Sequence, residues 1–173
     1  MMAHARDLKA VRPDCVIVFG GPEVSFRGEK LISEYPFIDY VISGEGEESF
    51  PLLCESLFNG EQSDRVIYAP PYPDFEKSTI YYGSEGAEPS SLVYYESVRG
   101  CPFNCSYCLS SRNEKIRAKS VSRVLDDLLG FERLPSVRTV KFVDRTFNYD
   151  KKRAVEIWQA LCSDSYTKEY HFE

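Results

Sequence analysis

Residues 100–109 read GCPFNCSYCL, and the rest of the chain makes sense around them. This stretch sets Cys101, Cys105 and Cys108 at the spacing C-x3-C-x2-C, directly after an extended run, LVYYESV, at residues 92–98. Three thiolates this close along the chain can converge on one metal centre. A 4Fe-4S cluster normally takes four cysteine ligands. Three clustered cysteines therefore either recruit a distant fourth ligand or leave one iron open to a substrate or cofactor. A structural zinc site would want paired C-x2-C knuckles and four tetrahedral ligands, whereas the chain has one such pair and the remaining candidates, Cys15, Cys54, Cys162, His4 and His171, are scattered. Six cysteines in 173 residues is not the density of a small disulfide-framed secreted scaffold. Cys15, Cys54 and Cys162 lie in apolar or helical patterns and are expected to be buried thiols.

Outward from this stretch, the pattern alternates strand and helix. The β-branched and aromatic content of residues 92–98 predicts a strand. Ser120 is placed to cap a helix in which Val121, Val124, Leu125, Leu128 and Leu129 form one apolar stripe. VRTVKFV, residues 137–143, predicts a second strand, and Asp150 caps a helix expected to turn Ala154, Ile157, Trp158 and Leu161 inward. Residues 170–173 open a third strand. This is the start of a (β/α) barrel, in which chemistry gathers at the carboxyl ends of the strands. Cys101 falls at the end of the first strand and Asp144 at the end of the second.

Upstream, residues 1–12 read as a helix stopped by Pro13, and Cys15 to Phe19 as a buried parallel strand leaving through Gly20, Gly21 and Pro22. A helix over 29–35, a strand over 38–42, the loop Gly44-Glu45-Gly46 and a helix over 47–58 with Phe50, Leu53 and Leu57 on one face repeat the unit. The fold class is thus α/β, a partial flavodoxin-like (Rossmann-like) parallel sheet followed by the first β/α units of a partial TIM-type barrel. The domains are expected at 1–60 and 91–173, joined by a proline-rich linker over 61–90 whose Tyr81 and Tyr82 could form an extra strand or hairpin.

The cysteine spacing, with the aromatic Tyr107 inside its C-x2-C pair, resembles the radical S-adenosylmethionine superfamily. The resemblance implies a 4Fe-4S cluster on Cys101, Cys105 and Cys108, with the open iron chelating S-adenosylmethionine and its reductive cleavage yielding a 5'-deoxyadenosyl radical. Tyr107 would touch that cofactor. The stretch FVDRTFN, residues 142–148, resembles the F-x-D-x-x-F stretch of cobalamin-associated members. Asp144 there would accept a hydrogen bond from the methionine ammonium or order the site. FGGPEVS and DYVISGEGEESF upstream resemble the second half of the cobalamin-binding domain preceding many such barrels. Gly20, Gly21, Gly44, Glu45 and Gly46 match the positions along the cobalamin tail. The family's opening strands and its D-x-H-x-x-G motif do not precede them, His4 is not assigned the axial role, and the chain is expected to be a fragment of a longer enzyme, poorly active alone. A reductant such as flavodoxin or ferredoxin is the implied partner.

A hydrophobic content of 43% supports a packed core, and a net charge of −6 with basic residues dispersed outside 112–119 argues against a broad nucleic-acid face. No apolar run approaches the roughly 20 residues of a membrane span, and a reducing cytoplasm is the expected compartment. Two other functions fit the residues less well. One is a non-catalytic iron-sulfur or zinc module completed by Cys162 or His171; the other is a cobalamin- or nucleotide-binding protein in which the cysteines are incidental.

Overall fold

Two three-stranded parallel sheets and a two-stranded antiparallel ribbon organise the described part of the chain. The computed structural model describes residues 1–71, 74–78, 91–108, 115–163 and 171–173, and the contacts divide into two units, Met1–Pro73 and Asp74–Glu173. Tyr81 and Tyr82, considered above, lie outside the described residues, as do residues 112–114 of the basic stretch.

The first unit runs α1 (Met2–Val11), β1 (Val18–Phe19), α2 (Gly28–Glu34), β2 (Tyr40–Ser43), α3 (Gly46–Phe58) and β3 (Val66–Tyr68). β2 lies between β1 and β3, parallel to both. Its core gathers Val24, Leu31, Ile38 and Val41. β1 is shorter than the apolar run that foretold it, because side chains take over the bonding at its start. Asp39 accepts from the Ile17 amide at 2.7 Å and from Lys9 Nζ, which also donates to the Cys15 carbonyl at 2.7 Å.

β3 falls in the stretch read as linker. Its residues Val66, Ile67 and Tyr68 pair with Val41, Ile42 and Ser43 of β2, and Gly28 leaves room for Val66, whose Cγ1 would stand 2.8 Å from a Cβ at that position. Phe50 also departs from its expected inward face and is 48% exposed, while Ser49 and Leu53 are buried. Those two are four apart on one helical face, and Phe50 stands about 100° further round.

The second unit runs through a 3-10 turn (Phe75–Lys77), β4 (Leu92–Tyr95), β5 (Val98–Arg99), β6 (Arg117–Ala118), α4 (Val121–Glu132), β7 (Thr139–Phe142), α5 (Lys151–Leu161) and β8 (His171–Phe172). β4, β7 and β8 lie in sequential parallel order. Val93 and Tyr95 of β4 and Val140 of β7 pack with Val124, Leu128 and Phe131 of α4 and Ile157 of α5. Both helix starts are capped as the sequence predicts. Ser120 accepts from the Arg123 amide at 3.1 Å, and Asp150 accepts from the amides of Lys152 and Arg153. Trp158 is a partial exception to the inward stripe of α5, at 38% exposed, and it stacks at the edge of a Phe142, Phe147 and Phe172 cluster.

A charged group is sealed into this core. The Lys119 side chain is 1% exposed and pairs with Asp127 Oδ2 at 3.0 Å, with the Tyr95 ring face 5.0 Å from its ammonium. The same carboxylate oxygen accepts from the Tyr95 hydroxyl at 3.0 Å, while Oδ1 faces Arg123 Nε at 3.0 Å. Burial and the neighbouring Asp127 charge hold the Tyr95 phenol far above its usual range. Removing one partner of a buried pair leaves an uncompensated charge, which typically costs about 3–5 kcal/mol. Asp127→Ala should lose stability on that scale in urea unfolding, and Lys119→Met combined with Asp127→Leu should recover most of it. Equal losses in the single and double variants would show that the packing, not the charge, dominates.

Candidate metal centre

The cysteine stretch opens the loop of a hairpin inserted between β4 and α4. β5 and β6 pair antiparallel, Val98 with Ala118 and Arg99 with Arg117, and residues 100–116 join them. Residues 109–114 of that loop lie outside the described residues. At its root Gly100 takes φ +99°, and a Cβ there would meet the Lys115 carbonyl oxygen at 2.9 Å and Ile116 Cα at 3.1 Å. The two ends of the loop therefore touch backbone to backbone, and only glycine meets both conditions without strain. Beyond it the Cys108 amide donates to the Cys105 carbonyl at 3.1 Å, closing a turn. Cys101 and Cys108 are half-buried and Cys105 is exposed, while Phe103 is 61% and Tyr107 91% exposed.

The segment leaving β7 holds this hairpin from the side. Asp144 Oδ1 accepts from the amides of Ser97 and Val98 at 2.6 and 3.0 Å, and Oδ2 accepts from the Ser97 hydroxyl at 2.6 Å. Two residues on, Thr146 Oγ1 lies 3.4 Å from Cys101 Sγ. Three donors of the hairpin root converge on this carboxylate, so Asp144 stabilises the root of the loop. Burial pushes its carboxyl above the usual range, opposed by these hydrogen bonds and by the Arg153 charge.

The donor chemistry of the loop fits an iron-sulfur centre, because thiolates are soft ligands that suit such clusters and zinc. Among the described residues no three His, Cys, Asp or Glu side chains are gathered as a metal-holding group. Cys54 and Cys162 are exposed and Cys15 is half-buried, which corrects the expectation of three buried thiols. Cys54 lies on the exposed side of α3 and Cys162 is the C-cap of α5, and neither is buried among the described residues.

Arg99 is engaged with Glu96 Oε2 at 2.7 Å and lies over the Phe75 ring. Glu173 pairs with Lys141 at 3.0 Å, and Arg145 is exposed. Thr146, Ser97 and Arg153 were not singled out by the sequence. Thr146 stood inside FVDRTFN, and its position two residues beyond Asp144 was the available signal.

In the first unit the two glycine loops meet. The Ser25 hydroxyl donates to the Gly21 carbonyl at 2.8 Å and accepts from the Gly44 amide at 3.0 Å, and the Ser43 hydroxyl donates to the Ser25 carbonyl. Gly20 and Gly44 are exposed, and Gly21, Glu45 and Gly46 are half-buried. Gly44 takes φ +103° and packs against Ala69, so its turn and its neighbour account for it. The Gly44 amide is taken by Ser25, and Glu47 and Glu48 at the start of α3 are exposed.

No protein-family model matches the chain. The chain is similar to an uncharacterized methyltransferase of Pyrococcus horikoshii, 31% identical over 175 residues that cover 88% of this chain and 38% of that protein. It is also similar to the tRNA-2-methylthio-N(6)-dimethylallyladenosine synthases of Burkholderia mallei and Paraburkholderia phytofirmans. These are 28% and 29% identical over 128 residues, covering 74% of this chain and 26% of each relative. The chain thus spans well under half the length of these relatives, all of which bear the names of enzymes.

Asp144 gives the site a pH signature. Because its folded pKa is raised, the folded state binds the proton more tightly than the unfolded chain. The protonated carboxyl therefore adds stability that is fully present below the unfolded value near 3.8 and is lost as pH rises through the folded value. Asn at this position can accept both amides through its oxygen and donate to the Ser97 hydroxyl through its nitrogen, so Asp144→Asn should fold and lack that pH-dependent step. Asp144→Ala strands buried donors at roughly 1–3 kcal/mol each and should be markedly less stable. Urea unfolding of the three proteins between weakly acidic and neutral pH checks this; parallel curves for wild type and Asp144→Asn would sink the titration argument.

Proposed function

We propose that this chain is the cluster-binding part of a radical S-adenosylmethionine enzyme. The observation that carries the reading is that the three motif cysteines lie in one hairpin loop beyond the carboxyl end of β4, whose root is held by Asp144 from the carboxyl end of β7. In an α/β sheet those ends are where ligands bind. The sequential parallel order of β4, β7 and β8 is how a (β/α) barrel begins, and the similarity to enzymes named for methyl and methylthio transfer supports the same class.

Cys101, Cys105 and Cys108 would hold a 4Fe-4S cluster that, when bound, supplies the electron for reductive cleavage of S-adenosylmethionine at the iron left open. The residues of the chain supply position. Thr146 sits against the first thiol, Asp144 fixes the hairpin root, and Tyr107, exposed in this structure, would touch the cofactor. The electron would come from a flavodoxin or ferredoxin.

Anaerobic iron-sulfur reconstitution followed by electron paramagnetic resonance tests the reading. The reduced protein should give a 4Fe-4S signal that shifts on adding S-adenosylmethionine. Cys101→Ala, Cys105→Ala and Cys108→Ala should each abolish it, while alanine at Cys15, Cys54 or Cys162 should leave it intact. Stoichiometric zinc in a colourless protein, or a cluster indifferent to the cofactor, would replace the proposal with a structural metal site.

A further inference from the structure

Arg153 lies in the first turns of α5, 8% exposed. Its Nε and Nη2 donate to the Lys119 carbonyl at 3.2 and 3.0 Å, and Nη2 also donates to the Ser97 carbonyl at 3.2 Å. Ser97 immediately precedes β5 and Lys119 immediately follows β6. One guanidinium therefore grips both legs of the hairpin whose loop carries Cys101, Cys105 and Cys108. The legs are also joined directly, the Lys119 amide donating to the Ser97 carbonyl at 3.0 Å.

The third nitrogen of the fork, Nη1, is buried with no hydrogen-bond partner among the described residues. Burying an unused N–H is unfavourable, and an apolar side chain of similar length would fill the space without it. What the apolar side chain could not do is bridge two carbonyls on separate strands. Lysine could not reproduce this either, because its ammonium is a compact point donor on a flexible stem, whereas arginine presents a planar fork of fixed spacing.

We propose that Arg153 is a positioning residue that sets the separation of the two hairpin legs and so the placement of the three thiols. It acts through the Ser97 and Lys119 carbonyls and touches no thiol. The functional half of this inference rests on the reading of the three cysteines as ligands of one cluster; the geometric half does not.

The test uses the whole chain and has two arms. In the metal-free arm, timed alkylation with iodoacetamide, read by peptide mass spectrometry, compares wild type with Arg153→Lys and Arg153→Met. Loss of the fork should raise the Cys101 rate roughly tenfold, as expected for local opening of a hydrogen-bonded segment. The rates of Cys15, Cys54 and Cys162 should stay unchanged. An unchanged Cys101 rate in Arg153→Lys overturns the inference, as does a rise fully matched by lost urea stability of the second unit, which would mark general destabilisation. In the second arm, iron retained after reconstitution and desalting should fall several-fold in Arg153→Lys relative to wild type. Equal retention with faster Cys101 alkylation would overturn the functional half. Wild type that itself retains no iron would refute the cluster reading, while the alkylation arm still decides whether Arg153 positions the loop.

Discussion

Ser97 is the fixed point on which the second unit depends. It is fully buried, and every polar group it has is held. The amide and hydroxyl go to Asp144, and the carbonyl goes to Arg153 and the Lys119 amide. A buried main-chain group without a partner is costly, so the chain cannot shift at this residue without breaking several bonds together. β4 ends just before it and β5 begins just after, which makes it the corner where a sheet strand becomes a hairpin leg. Whatever the cysteine loop binds, the loop departs from a corner defined by residues of β7's exit and of α5.

The same logic of paired burial explains Lys119. Its backbone completes the other hairpin leg, while its ammonium is buried against Asp127 of α4 and the rings of Phe75 and Tyr95. Each end of the residue therefore reports on a different part of the unit. A purely apolar core could match this stability, but it would not tie the hairpin leg, the helix and the β4 tyrosine to one carboxylate. The cysteine loop is thus fastened on both sides by polar groups inside the core, while its Phe103, Cys105 and Tyr107 are exposed.

The first unit shows how a motif can be legible and still be explained locally. Gly21 and Gly44 both take positive φ and lie at the carboxyl ends of neighbouring parallel strands, as the sequence implied. Their nearest polar partner is Ser25, which draws the two loops together. The glycines are required by the turns and by Ala69. A bound cofactor is not needed to account for them.

The sequence by itself determined the local elements, because their signals are short-range. The apolar stripe of α4, the caps at Ser120 and Asp150, the alternation of strand and helix, and the three soft donors in one short loop all follow from residue order. It gave less where a residue's role depends on what the fold brings to it. The triplet Val66, Ile67 and Tyr68 looks like linker until β2 and Gly28 are beside it, and Cys54 looks buried until α3 is seen to turn it outward. Arg153 reads as one more solvated charge after Lys151 and Lys152. Only the tertiary structure gave Asp144, Thr146 and Arg153 their partners, since each contacts a residue more than thirty positions away in sequence. No local pattern encodes a hydrogen bond whose two ends meet only after the strands have paired.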